Sequence, residues 1–132
     1  MKNMKEKVHQ AMDQHLQKSG HVAPVDVLMD LGILSKKDYE DWRFGRVIFL
    51  EKVCRANLSK LSDIMKEIRS YAATNHLIPS WSAYQQWGKA KHQPLRFSKS
   101  NDPSIERHYA THFVDVTRVA QLKSGLVDPP TE

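Results

Sequence analysis

Residues 78–113 read IPSWSAYQQWGKAKHQPLRFSKSNDPSIERHYATHF, and the rest of the chain is organised around this stretch. It contains two of the three Trp residues and a run of Lys, Arg and His that has no acidic residue before Asp102. Asp is a preferred N-cap and Pro is favoured at the first helical position, so Asp102-Pro103 marks a helix start. The pattern predicts a helix from Pro103 to about Phe113.

An earlier segment repeats part of this pattern at a fixed offset of 45 residues. Tyr39 and Trp42 align with Tyr84 and Trp87 (84 − 39 = 45, 87 − 42 = 45). The two copies would span 33–65 and 78–110, with short helices at 36–44 and 81–87. A true duplication predicts a pseudo-twofold pair of helical hairpins that share one core. The alternative is chance similarity, because Ser caps and helical spacing recur on their own.

Apolar residues recur at spacings of three and four along most of the chain, which is typical of helices with one buried face. The predicted helices cover 2–19, 24–31, 36–44, 46–56, 58–74, 81–87 and 103–113. Gly20 and Asn75 are predicted to end their helices in the left-handed conformation. Pro94 excludes a helix interior, and the alternation over Leu95–Ser98 predicts one short β element near 95–98. We therefore expect a mainly α fold of about six to seven short helices.

The composition is that of a folded domain, with 132 residues of which 40% are hydrophobic and 27% charged. Cys54 is the only cysteine, which excludes an internal disulfide and fits a reducing compartment. No apolar run approaches the roughly 18 residues needed to cross a bilayer, and the start lacks the apolar core of a secretory signal. We expect a cytoplasmic protein without a membrane partner, with one helical domain over 1–127 and a flexible tail over 128–132.

The net charge of +5 is concentrated in one segment. Residues 68–101 contain no Asp or Glu and five basic residues, whereas the parts before and after sum to +2 and −2. A clustered, acid-free basic segment is typical of proteins that bind a polyanion. The sequence thus predicts a nucleic-acid-binding module that contacts phosphates through a basic segment at 89–107. The predicted contacts are Lys89, Lys91, Arg96, Lys99 and Arg107.

Other interpretations of the basic segment remain open. One alternative is an ordinary solvated surface. Another is a surface that faces an acidic protein, which would make the chain a protein–protein adaptor or small regulatory protein. The sequence does not distinguish DNA from RNA. Trp81, Tyr84 and Trp87 have the spacing of a buried helical face, although an exposed ring would stack on a base.

Evidence for catalysis is weak. His108 and His112 are four residues apart, the spacing with which a helix offers two ligands to one metal, but a third ligand such as His92 or Asp115 would have to come from elsewhere. The alternative places one ring in the core and the other on the surface. Cys54 lies on an apolar face, which favours a structural thiol. Without a Gly-rich phosphate loop or a Gly-x-Ser-x-Gly motif, we expect no cofactor, and a metal-dependent hydrolase is the least favoured function.

Overall fold

The computed structural model describes residues 3–88 and 93–125. Within these ranges the chain is mainly helical with a small antiparallel sheet, which confirms the predicted fold class. The α-helices are α1 (Met4–Ser19), α2 (Pro24–Asp30), α3 (Lys36–Arg43), α4 (Leu58–Thr74), α5 (Pro103–Ala110) and α6 (Val116–Ser124). A 3-10 helix spans Leu50–Val53, and the strands are β1 (His21–Val22), β2 (Ile78–Trp81) and β3 (Thr111–Val114). The predicted tail at 128–132 lies outside the described residues.

Local capping determines where most helices begin and end. Asn3 caps α1 through its side chain, which accepts from the Glu6 amide at 2.9 Å. Gly20 ends α1 with φ of 83°, in the left-handed region that glycine adopts without strain. The predicted bounds of α4 are confirmed, but its left-handed residue is His76, with φ of 56°, rather than Asn75.

The sheet has the order β1-β3-β2, so that β3 pairs with a strand on each side. Val114 lies opposite both His21 and Ile78, and Thr111 lies opposite Trp81. The β structure is therefore at these positions and not at 95–98, where the chain is extended but forms no strand. Because β2 is an edge strand whose four residues are all exposed, its side chains are accessible to a ligand.

Three predicted helices differ from the observed structure for the same reason, which is that their backbones bond to distant segments. Residues 81–87 are not helical, because the chain pairs with β3 and then with 93–95. Helix α5 ends at Ala110, because the next four residues form β3. The predicted helix 46–56 is reduced to a 3-10 turn, whose Leu50 and Glu51 amides donate to the carbonyls of Arg96 and Phe97 at 3.1 and 2.9 Å.

Trp42 lies at the centre of an aromatic cluster and is fully buried. Its ring centroid lies 4.9 Å from that of Phe97 and 5.6 Å from that of Tyr84. The ring centroids of Tyr39 and Trp87 lie 6.0 Å apart, so the two aromatic pairs of the suspected repeat pack against each other. The first pair lies on α3 whereas the second lies on extended chain, and the two segments therefore do not repeat one local structure.

Candidate functional site

Helix α5 separates two clefts. Ile105, His108 and Tyr109 line one of them, whereas Pro103, Glu106, Arg107 and Ala110 line the other. With 3.6 residues per turn, these two sets lie on opposite faces of the helix. We call the first the Arg69 cleft and the second the Trp81 cleft, each after one of the residues outside α5 that line it.

The Trp81 cleft has a volume of about 590 Å³ and brings together an exposed indole and a guanidinium group. Trp81 is 65% exposed. It pairs with Thr111, the residue that follows α5, and the Thr111 hydroxyl donates to the Arg107 carbonyl at 2.7 Å. The sheet register therefore fixes Trp81 beside the last turn of α5, which carries the exposed Arg107.

Glu106 anchors the neighbouring extended segment to α5. Its carboxylate accepts from the Phe97 amide at 2.9 Å and from the Ser98 amide at 2.7 Å. The Ser98 hydroxyl donates to the same carboxylate at 2.5 Å and accepts from the Asn101 amide at 3.0 Å. Because buried polar groups need such partners, Ser98 is 1% exposed without a desolvation penalty.

The Arg69 cleft, of about 600 Å³, lies between α4 and α5. Helix α4 contributes one stripe of side chains at spacings of four, three and four, namely Leu58, Ser62, Met65 and Arg69. Ile105 of α5 faces this stripe, and the lining is mostly apolar. Leu58 and Ile105 are 60% and 39% exposed, so a large part of the apolar wall is accessible.

Arg69 of α4 and His108 of α5 both line the Arg69 cleft. Among the described residues, no atom accepts a hydrogen bond from the buried Nη1 of Arg69. Burial, reinforced by the charges of Arg69 and Arg107, lowers the pKa of His108 below its ordinary value. Because burial is the largest cause, the lowered pKa mainly reflects the apolar surroundings of the ring, and the two guanidinium charges add to it.

Glu51 contributes a carboxylate to the lining of this cleft, and hydrogen-bond donors of the protein itself already bind to that carboxylate. It accepts from the Tyr109 hydroxyl at 2.8 Å and from the Lys99 amide at 2.9 Å. Burial, followed by the hydrogen bond to Glu51, raises the pKa of Tyr109 well above its ordinary value. Glu51 and Glu106 thus hold the segment 97–99 from two sides and set the position of Lys99 at the edge of the cleft.

The structure disperses the basic residues that the sequence predicts to contact phosphate. Lys99 lines the Arg69 cleft, whereas Arg107 lines the Trp81 cleft. The Arg96 side chain is engaged within the protein, since its Nε donates to the Ser98 carbonyl at 2.8 Å, its Nη2 donates to the Lys99 carbonyl, and its guanidinium lies 5.5 Å from the Phe49 ring. Lys89 and Lys91 lie outside the described residues. Phosphate contact stays a prediction for all five.

The three aromatic residues that precede the basic segment divide between the core and the surface. Tyr84 is 8% exposed, and Trp87, at 39%, packs edge-on against Phe44 and Tyr39. Arg43 covers Trp87, with its guanidinium carbon 4.6 Å from the ring. Trp81 is the most exposed of the three, and its ring is therefore the one most accessible to a stacking partner.

The histidines considered as a metal pair do not share a helical face. His108 is on α5, but His112 lies in β3, beyond the end of the helix. The Nε2 atom of His112 lies 2.9 Å from the Tyr84 hydroxyl, in a hydrogen bond. Within 3–88 and 93–125, no group of three or more His, Cys, Asp or Glu side chains has a metal-binding arrangement. The expectation of one shared helical face is therefore wrong.

Cys54 is a poor candidate for a nucleophile. Burial, with smaller contributions from Glu51 and Asp38, raises the pKa of its thiol to about 12. The reactive form of cysteine is the thiolate, so the group is almost entirely protonated at neutral pH.

Sequence reasoning missed the Arg69 cleft. Arg69 belongs to the acid-free stretch 68–101, but the sequence pattern did not place it in a site. The stripe of Leu58, Ser62, Met65 and Arg69 is present in the sequence as a helical spacing that joins apolar side chains to one cation. That spacing was the available signal.

Comparisons with protein-family models, curated proteins and solved structures give no significant match to this chain. None of the described helices combines the length and the hydropathy that crossing a membrane requires.

Proposed function

We propose that the protein is a nucleic-acid-binding module whose Trp81 cleft accepts a single strand, while the basic segment 89–107 supplies phosphate contacts. The observation that carries this proposal is the exposed Trp81 ring in one cleft with Arg107. An accessible ring stacks on an unpaired base for roughly 1–3 kcal/mol, and a guanidinium group pairs with phosphate oxygens in a fixed geometry.

Lys89 and Lys91 lie in the sequence between two segments that border the same cleft. The amide of Gln86 donates to the Gln93 carbonyl at 2.9 Å, and the amide of Leu95 donates to the Tyr84 carbonyl at 2.8 Å. The segments 84–86 and 93–95 thus run side by side, and residues of both line the Trp81 cleft. Lys89 and Lys91 belong to the connection between these segments, which supports a role for them in phosphate contact near Trp81.

Arg96 and Lys99 have different roles in this proposal. Because the guanidinium group of Arg96 is hydrogen-bonded to backbone carbonyls, Arg96 attracts the nucleic acid through its positive charge at long range and not by direct contact. Lys99, on the far side of α5, extends the positive field without touching the strand that Trp81 holds. The phosphate contacts of the Trp81 cleft therefore come from Arg107, Lys89 and Lys91.

An acidic protein surface is the rival partner. It would use the same cations, but it has no base to stack on Trp81. The exposed edge strand β2, with Ile78 52% exposed, would favour such a partner if the ring proved unimportant for nucleic acid.

The proposal is tested by fluorescence anisotropy with labelled single-stranded DNA and RNA oligonucleotides and with the corresponding duplexes. Trp81→Ala removes the stacking ring, and Ile48→Ala is the control, because Ile48 is an exposed apolar residue, 68% accessible, that lines neither cleft. We expect Trp81→Ala to weaken single-strand binding about tenfold, in line with the loss of one stacked base. Ile48→Ala should bind like the original protein.

Tight binding of the duplex with no effect of Trp81→Ala would remove the single-strand assignment. If the protein shows no affinity for any of the oligonucleotides at low salt, the nucleic-acid function is excluded and the acidic protein partner becomes the leading function.

A further inference from the structure

We propose that the Arg69 cleft is a second, separate binding site, for a small amphipathic monoanion with an apolar body and a carboxylate group. The site lies on the face of α5 opposite the Trp81 cleft, and it does not depend on nucleic-acid binding. Its volume of about 600 Å³ is within the usual range for small-molecule sites, roughly 300–1,000 Å³.

The walls of the cleft fit an apolar body. Leu58 and Ile105 face each other from α4 and α5, and they are among the large hydrophobic side chains that remain exposed in the protein. Met65, at 5% exposure, forms the floor between them. A ligand that covers Leu58 and Ile105 removes their apolar surface from water, which is favourable in proportion to the buried area.

The head group is assigned from the charges at the end of the same stripe. Arg69 lies about one turn beyond Met65 on α4, and its buried Nη1 has no hydrogen-bond partner among the described residues. A buried cationic donor without an acceptor is costly, so a carboxylate at Arg69 would supply both the acceptor and the opposing charge. His108 and Lys99 line the same cleft, and Ser62 and Ser100 add hydroxyl groups.

The remaining charge in the cleft explains why we infer a monoanion and not a phosphate dianion. Glu51 is a wall residue whose two oxygens accept from Tyr109 and Lys99. Its negative charge offsets one of the cations and repels a second negative charge on the ligand. An ammonium group is excluded for the opposite reason, because it would lie beside Arg69.

The test uses sodium octanoate as the probe, below its micelle concentration, with octylamine and 1-octanol as ligands of the same chain length and different head groups. Binding is followed by ¹H–¹⁵N NMR on the whole protein. Arg69→Gln removes the head-group cation, and Lys66→Gln is the matched control, since Lys66 is an exposed cation on α4 that does not line the cleft. Ile105→Glu places a negative charge on the apolar wall.

We expect octanoate to give saturable shifts at Met65, Ile105 and His108. Arg69→Gln should weaken octanoate binding about tenfold, as for the loss of one charge-assisted hydrogen bond. Ile105→Glu should weaken it by about as much, because the new carboxylate repels the ligand and removes apolar contact, and Lys66→Gln should leave it unchanged. The proposal is overturned if octylamine or octanol binds as tightly as octanoate, if Arg69→Gln binds like Lys66→Gln, or if octanoate gives no saturable shifts.

Discussion

The indole Nε1 of Trp42 donates a hydrogen bond to the carbonyl oxygen of Arg96 at 2.7 Å. This contact joins α3 to the extended segment that connects the two clefts, across 54 positions of sequence. Because Trp42 is fully buried among Tyr84 and Phe97, the basic segment is fixed to the helical core at its centre.

Trp42→Phe removes this hydrogen bond and leaves space in the aromatic cluster. The Arg96 carbonyl keeps the Leu50 amide as a donor, at 3.1 Å, so the main loss is packing. We expect the free energy of unfolding to fall by about 2 kcal/mol, measured by urea denaturation. Trp81→Phe, at an exposed site, should change it by less than about 0.5 kcal/mol. Equal stabilities of the two variants would contradict the central position of Trp42.

Glu106→Gln tests how the extended segment is held. The carboxylate accepts from two backbone amides and one hydroxyl, whereas a Gln side chain has one acceptor oxygen and turns an NH₂ group toward a donor. We expect a loss of about 2 kcal/mol in stability and faster hydrogen exchange at the Phe97 and Ser98 amides.

The control for Glu106→Gln is Asp63→Asn, which neutralises an exposed carboxylate on α4. It should leave both the stability and the exchange at 97–98 unchanged. If the two variants behave alike, Glu106 does not anchor the segment.

His112 makes the stability depend on pH in a definite direction. Burial lowers its pKa, the neighbouring His21 lowers it slightly further, and Asp26 opposes the shift. The unfolded chain, with an ordinary pKa of about 6.5, binds the proton more readily than the folded protein does. The contribution of His112 is therefore fully present above pH of about 6.5 and is lost as the pH falls through the lower folded value.

Unfolding measured between pH 8 and pH 5 should show this decline, and His112→Gln should reduce it. His108, whose pKa is also lowered, contributes in the same direction and should account for part of the remainder. His76→Asn is the control, because it replaces an exposed histidine with a residue that tolerates the left-handed backbone at this position. A pH profile of His112→Gln identical to that of the original protein would be inconsistent with burial of an uncharged ring.

The elements that the sequence predicts well are those determined by their own neighbours. Asn3, Ser35, Asn57 and Asp102 each cap a helix, and each side chain accepts a backbone amide two or three residues later. These contacts are local, so spacing and cap residues predict where α3, α4 and α5 begin. The start of α1 was predicted two residues too early, because Asn3 was not identified as its cap.

The elements that the sequence predicts poorly depend on partners far along the chain. The residues of β2 fit a helix start by their spacing, but they pair with β3, which lies 30 to 36 positions later in the sequence. Thr111 is β-branched and Phe113 is aromatic, and both residue types favour a strand, but the helix start at Asp102-Pro103 led to the prediction of a helix through these positions. Register between such segments is a tertiary property.

The candidate sites follow the same division. The excess of positive charge in 68–101 is a matter of composition and was visible in the sequence. The separation of Lys99 from Arg107 could be seen only once the position of α5 between the two clefts was known. The exposure of Trp81 could be seen only once the pairing of β2 with β3 was known. The use of Arg96 within the protein could not be foreseen, because its acceptors are backbone carbonyls of an irregular segment.

The most direct test of the proposed function is the salt dependence of single-strand binding. Each phosphate contact on a single strand contributes about 0.7 to the slope of log K against log salt. We predict that a triple variant, in which Lys89, Lys91 and Arg107 are each replaced by Gln, has a slope that is shallower by about 2, because three phosphate contacts are lost. An unchanged slope and affinity in this variant would contradict the assignment of these residues to phosphate contact.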